Sequence, residues 1–181
     1  MKETIIMENN TIQSTEAKEY TYMTSLLTFY MKGKITVTGR SVKLTIPNTF
    51  LKFIPLGSRT YEPMISQISS VNNSFKLNAK PLFFGIIVVL GGISAISDSF
   101  LTGLILLLIG IGEIISAFET VMYITENSGR NIGVSALIFD KKTIEDARNE
   151  IQKYLLMRVD DTNSRMQTNR IVNAINNQNE Q

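Results

Sequence analysis

Apolar and polar residues alternate with period two over Lys34–Pro47, KITVTGRSVKLTIP. Ile35 and Val37 stand against Thr36 and Thr38; Val42, Leu44 and Ile46 stand against Ser41, Lys43 and Thr45. Gly39-Arg40 separates the two runs, and β-branched residues fill both, so the pattern predicts a β-hairpin. Short strands are expected near Phe50–Ile54 and Arg59–Tyr61, and Ile65, Ile68 and Val71 follow with mixed period. Thr120–Thr125 is strand-like, Asn127-Ser128-Gly129 is a turn, and Asn131–Phe139 alternates with Ile132, Val134, Ala136 and Ile138 on one face. The period then lengthens. Ile144, Ala147, Ile151, Tyr154 and Leu155 share one helical face, with Glu145, Arg148, Glu150 and Lys153 mostly opposite. Thr143, followed by Asp146 three residues on, is the expected N-cap of this amphipathic helix, which needs the strands as its packing partner.

Between these two patterned regions lies a different one. Pro81–Phe118 is almost wholly apolar and holds no Lys or Arg. A helix crossing a bilayer needs about 20 such residues. This run is about twice as long, with a polar break at Ser97-Asp98-Ser99. The expectation is two transmembrane helices joined by a tight turn, since backbone amides in lipid must bond within the segment. Both arms, Leu82–Ile96 and Ser99–Phe118, are short, so a re-entrant hairpin is the lesser alternative. A buried hairpin of a soluble protein would keep a charged face, and neither arm has one.

The remaining segments divide accordingly. Residues 1–21 are polar and read as disordered or weakly helical. Residues 22–80 and 119–158 together make about one hundred residues, the usual size of one domain. Neither piece alone has enough strands to bury a core without a long raw edge. The expected fold class is therefore an α+β membrane protein: one split β-sandwich or barrel with a C-terminal amphipathic helix, interrupted by the hairpin at 81–118. The tail at 159–181 is polar and reads as disorder or a frayed helix.

Several strands, a last strand pair and a closing helix resemble the pleckstrin-homology superfold. GKITVTGRSVKLTIPNTFLKFIP (Gly33–Pro55) and PMISQISSV (Pro63–Val71) are similar to the GRAM and bacterial PH-like pattern. That resemblance implies binding of lipids, peptides or partner domains, with no catalysis.

Composition narrows the chemistry further. Cys, His and Trp are absent. Disulfides, thiol catalysis, imidazole acid–base chemistry and the usual zinc ligand sets are thereby excluded, and neither an enzyme nor a cofactor or metal is expected. Charge is segregated. From Thr21 to Lys80 eight basic residues face one acidic residue, Glu62. Such a block before an apolar run predicts that both termini are cytoplasmic, at the inner membrane, with attraction to anionic lipid. Nucleic acid is not an expected partner, because no recognised motif accompanies the basic charge.

Three sets of positions are candidates for function. Glu113 is the sharpest, an ionisable group inside the apolar run; it would bind a cation, pair with a partner's Lys or Arg, or line a pore, or else snorkel to the cytoplasmic headgroups or sit protonated in a packed bundle. Gly91 with Ala95, and Gly112 with Ser116, have the small-residue spacing of close helix contacts. Arg40, Lys43, Lys52, Arg59, Lys76 and Lys80 are the candidate contacts for anionic headgroups. Together these describe a membrane-anchored interaction or assembly module, with homo-oligomers or a membrane protein as partner. The rival reading is a pore or transport subunit with Glu113 in its path.

Overall fold

The computed structural model describes residues 17–179. Two antiparallel sheets enclose the core. The first has strand order β1 (Lys18–Met23), β2 (Lys32–Val37), β3 (Val42–Phe50), β4 (Ile54–Tyr61); the second has order β5 (Ile68–Leu77), β6 (Phe118–Glu126), β7 (Asn131–Leu137). Period-two burial sets each strand's inner face. Ile35, Val37, Val42 and Leu44 from the first sheet, and Met122, Ile124, Ile132, Val134 and Ala136 from the second, are sealed in one cluster. Tyr22 lies opposite Gly33 in the β1–β2 register. A Cβ at Gly33 would fall 2.1 Å from the tyrosine ring, so this glycine makes room for the aromatic.

The long helix α3 (Lys141–Asn179) closes the core with Ile144, Ala147 and Ile151, all fully buried. It starts ahead of Thr143, so that residue lies inside the first turn and not at the N-cap. It also continues far beyond Arg158. The expected polar tail is helical through Asn179, and among the described residues those of α3 that join the core run from Ile144 to Leu155. At the other end, β1 takes up Lys18–Thr21, which the sequence reading placed in a weakly ordered segment. Residues 1–16 lie outside the described residues.

The apolar run forms α1 (Ala79–Ala95) and α2 (Phe100–Ser116), rooted between β5 and β6. The membrane-spanning part of the expected fold class is overturned here. Each helix has 17 residues, which at the α-helical rise gives about 25 Å, against about 30 Å for a hydrocarbon core. Among the described residues no helix is long and apolar enough to cross a membrane. The physical reason is at the two ends of the run. A turn takes Ile96–Ser99 from its middle, and β6 takes Phe118 from its end. The fold is α+β, with two antiparallel sheets and an apolar helical hairpin projecting from one end.

Glycine lets the two arms touch. A Cβ at Gly85 would lie 2.8 Å from the Gly110 carbonyl oxygen, and one at Gly103 would lie 2.8 Å from that of Gly92. The arms therefore meet at Gly85, Gly92, Gly103 and Gly110. Gly91, one of the expected packing residues, faces open space.

Candidate functional site at the root of the hairpin

Where the hairpin leaves the sheets, the sequence concentrates polar groups that the rest of the hairpin lacks. The loop after β1, Thr24–Tyr30, wraps the base of α2. Ser116 Oγ donates to the Gly112 carbonyl at 2.7 Å and accepts the Leu26 N–H at 3.1 Å. Its only proton is then used, so the 3.3 Å contact with Ser25 is donated by the Ser25 hydroxyl. Ser25 in turn accepts the Leu27 N–H at 3.1 Å. Gly112 completes the seat, since a Cβ there would fall 2.8 Å from the Leu27 side chain. Two of the expected helix-packing residues, Gly112 and Ser116, thus dock α2 onto its own domain. Ala95 is half-buried near the tip.

The second component comes from the β3–β4 turn. Leu51 and Lys52 both have positive φ, 47° and 65°, and the Phe53 N–H closes the turn on the Phe50 carbonyl. Consecutive left-handed residues make a type I′ turn, usually built from Asn and Gly. Non-glycine residues there cost on the order of 1–3 kcal/mol each, and such strain persists where surroundings over-determine it. Here the surroundings are ionic. Lys52 Nζ lies 2.7 Å from Glu119 Oε1, with both side chains nearly sealed from solvent. It also donates to the Thr24 carbonyl at 3.4 Å, while its own carbonyl accepts the Thr28 hydroxyl at 3.4 Å. Asn78, at the start of the hairpin, donates to the same Glu119 oxygen at 3.5 Å.

Glu113 faces this cluster and is fully buried. Among the described residues neither carboxylate oxygen has a hydrogen-bond partner. Burial pushes its carboxyl up to about 7, and the neighbouring Lys52 ammonium opposes that shift. One ammonium thus serves two carboxylates, of which Glu119 holds the direct bond. Glu113 keeps its proton to near neutrality. A buried carboxyl of this kind holds a proton whose loss leaves two carboxylates sharing one ammonium at the hinge of the hairpin. Among the described residues no cluster of three or more acidic side chains could hold a metal ion.

Around the root lies an aromatic rim. Phe53 stacks on Phe84 of α1 with centroids 5.9 Å apart and planes 9° from parallel. Phe75 lies against Phe118 at 6.4 Å, and Phe29 meets Tyr30 edge-on at 5.9 Å. Phe29, Tyr30, Phe50 and Phe75 are all exposed.

The six basic residues expected to touch headgroups separate into groups. Lys76 precedes the end of β5, Lys80 sits in the first turn of α1, and Lys52 is in the root cluster, so these three belong to the hairpin end. Arg40 is in the β2–β3 turn, at the opposite pole of the molecule, and Lys43 pairs with Thr36 toward that pole. Arg59 pairs with Ile46 midway along the sheet. The Lys52–Glu119 pair and the Thr24–Thr28 loop escaped sequence reasoning. A Glu just after an apolar run, matched by a lone Lys among apolar residues, Phe50–Pro55, was the signal available.

No protein-family model, no curated protein and no solved structure matches this chain, and so none of them identifies it with the PH-like or GRAM pattern.

Proposed function

We propose that this chain is a non-catalytic interaction module held on the face of an anionic membrane by its apolar hairpin, which enters the lipid from the domain side without crossing. The observation that carries this reading is the distribution of exposed apolar side chains. Phe83, Ile86, Ile87, Leu90 and Ile93 on α1, and Phe100, Leu101, Leu104, Ile105, Leu108 and Ile111 on α2, all stand exposed. Each is worth about 1.5–3 kcal/mol when removed from water. Between Leu82 and Gly112 the only charge is Asp98, in the turn. A protein partner would cover one side of such a hairpin, whereas lipid covers every side.

The root fits the same placement. Tyrosine, with an apolar body and a polar tip, favours the interfacial layer, and Tyr30 stands exposed at this end together with the apolar Phe29, Phe50 and Phe75. Lys76 and Lys80 stand beside them, where anionic headgroups attract positive charge. The cytoplasmic leaflet is the face this charge suits. Glu113 is enclosed by the chain's own root, which favours the anchor over a pore that Glu113 would line.

Flotation of the full chain with vesicles tests this reading. Binding to vesicles containing phosphatidylglycerol is expected, stronger than to neutral phosphatidylcholine vesicles and weakened by salt. Replacing Leu90, Leu104 and Leu108 together by Ser should abolish flotation. Equal flotation of that variant and the wild type would overturn the proposal.

A further inference from the structure

At the pole opposite the hairpin the fold leaves a cavity of about 820 Å³, within the range of small-molecule sites. Its position follows from the strands. The hairpin is attached to β5 at Leu77, while the cavity adjoins Ile65–Ser66, ahead of the same strand's first residue. Ten residues of β5 separate them, about 33 Å at the extended rise. A membrane that holds the hairpin therefore does not reach this cavity.

The backbone of Ile65 is the frame on which the cavity is built. Its N–H donates to the Arg40 carbonyl at 2.8 Å, fixing the β2–β3 turn. Its carbonyl accepts Arg158 Nη1 at 2.9 Å, fixing α3. Two guanidinium-bearing residues are thus brought to one cavity from elements far apart in sequence. Among the described residues of the wall the one acid, Glu62, already accepts the Ser41 hydroxyl at 3.1 Å. The charge balance of those described residues is positive by one. Met64 and Met157 are both more than half exposed at the cavity mouth, with Tyr154 beside them. Methionine lining adapts to apolar guests of differing shape, and a guanidinium presents a planar fork that matches a carboxylate or phosphate.

We infer that this cavity binds a small amphipathic anion, with a carboxylate or phosphate head between Arg40 and Arg158 and an apolar body against Met64, Met157 and Tyr154. The site lies on a different face from the hairpin and stands whether or not the hairpin enters lipid.

The test uses the full chain in phosphatidylcholine nanodiscs, with the methionine methyl groups labelled with carbon-13, and 4-phenylbutyrate as the probe. Saturable shifts are expected at the Met64 and Met157 methyls. The uncharged 4-phenylbutanol should not reproduce them, and acetate should leave them in place. Arg40→Gln, at an exposed turn, should weaken binding at least tenfold. Arg158→Lys, which retains a donor for the Ile65 carbonyl, should weaken it as well. Absence of saturable shifts at those two methyls would overturn the inference. So would equal shifts from the alcohol, or unchanged affinity in both variants.

Discussion

Lys52 Nζ and Glu119 Oε1 stand 2.7 Å apart in a nearly sealed site where a strained turn, the middle strand of the second sheet and the root of the hairpin converge. The pair ties β3–β4 to the start of β6, and through Asn78 and Thr24 it touches both sides of the hairpin's attachment. Breaking one partner leaves the other buried and alone, which typically costs about 3–5 kcal/mol. Lys52→Met should therefore destabilise the protein by that order. Lys52→Met with Glu119→Leu should recover most of the loss. Denaturant unfolding of the four members of the cycle, in one detergent, measures it; equal stability of Lys52→Met and wild type would refute the role given to the pair.

Glu113 gives the root a pH dependence whose sign is fixed. Its folded-state carboxyl titrates at about 7, above its ordinary 4.5, because burial disfavours the charged form. The folded state then holds a proton that the unfolded chain releases from about pH 4.5 upward. Its contribution to stability is intact at low pH, falls as pH rises from 4.5 to 7, and is flat above. The full difference is on the order of 3 kcal/mol. Glu113→Gln should remove this slope and should be the more stable protein at pH 8. Unfolding midpoints of both proteins between pH 5 and pH 8 check this, and parallel profiles would count against it.

The glycines of the hairpin should separate sharply under substitution. Gly85→Val and Gly110→Val place side chains where backbone stands within 3 Å, so the arms must part. Overpacking of this kind costs about 1–3 kcal/mol or more. Gly91→Ala meets nothing within 4 Å and should stabilise the helix by about 0.5–1 kcal/mol, by the lost backbone freedom of glycine. Thermal unfolding followed by helical circular dichroism distinguishes the two groups.

The turn at Leu51-Lys52 should respond to relief of strain. Asn tolerates the left-handed region that Leu resists, so Leu51→Asn should leave the Lys52–Glu119 geometry in place and cost little or stabilise. Lys52→Gly would relieve its own strain yet lose the ion pair, and should destabilise. Comparing the two by denaturant unfolding shows whether strain or charge dominates at this turn.

The sequence disclosed those parts of the fold in which one face is buried and the other wet. Val42 and Leu44 on β3, Ile132 and Val134 on β7, and Ile144, Ala147 and Ile151 on α3 were legible, because their spacing repeats the geometry of the element. β1 was not: KEYTYM seals only Tyr22 and alternates weakly. The far half of α3 was hidden by composition, since Asn, Gln and Thr weaken a helical signal without forbidding a helix. The hairpin's existence was plain, but its length was not. Apolarity alone does not say where β5 and β6 stop and helix begins, and that boundary decides whether the mostly apolar run of 38 residues, Pro81–Phe118, reaches across a bilayer. Glu113 stood out as a carboxyl in an apolar run. Its grouping with Lys52 and Glu119 did not, because a turn of one sheet packed near a strand of the other unites residues that sequence spacing keeps apart.

The central claim, that lipid and not protein surrounds the hairpin, is tested most directly at its middle. The chain contains no cysteine, so Leu90→Cys and Leu108→Cys each give a single site for a spin label, on α1 and α2. With the labelled full chain bound to vesicles containing phosphatidylglycerol, the account predicts high accessibility to oxygen and low accessibility to a water-soluble nickel complex at both positions. Labels open to nickel would place the hairpin in water, and labels closed to both reagents would place it against protein; either result would contradict the account.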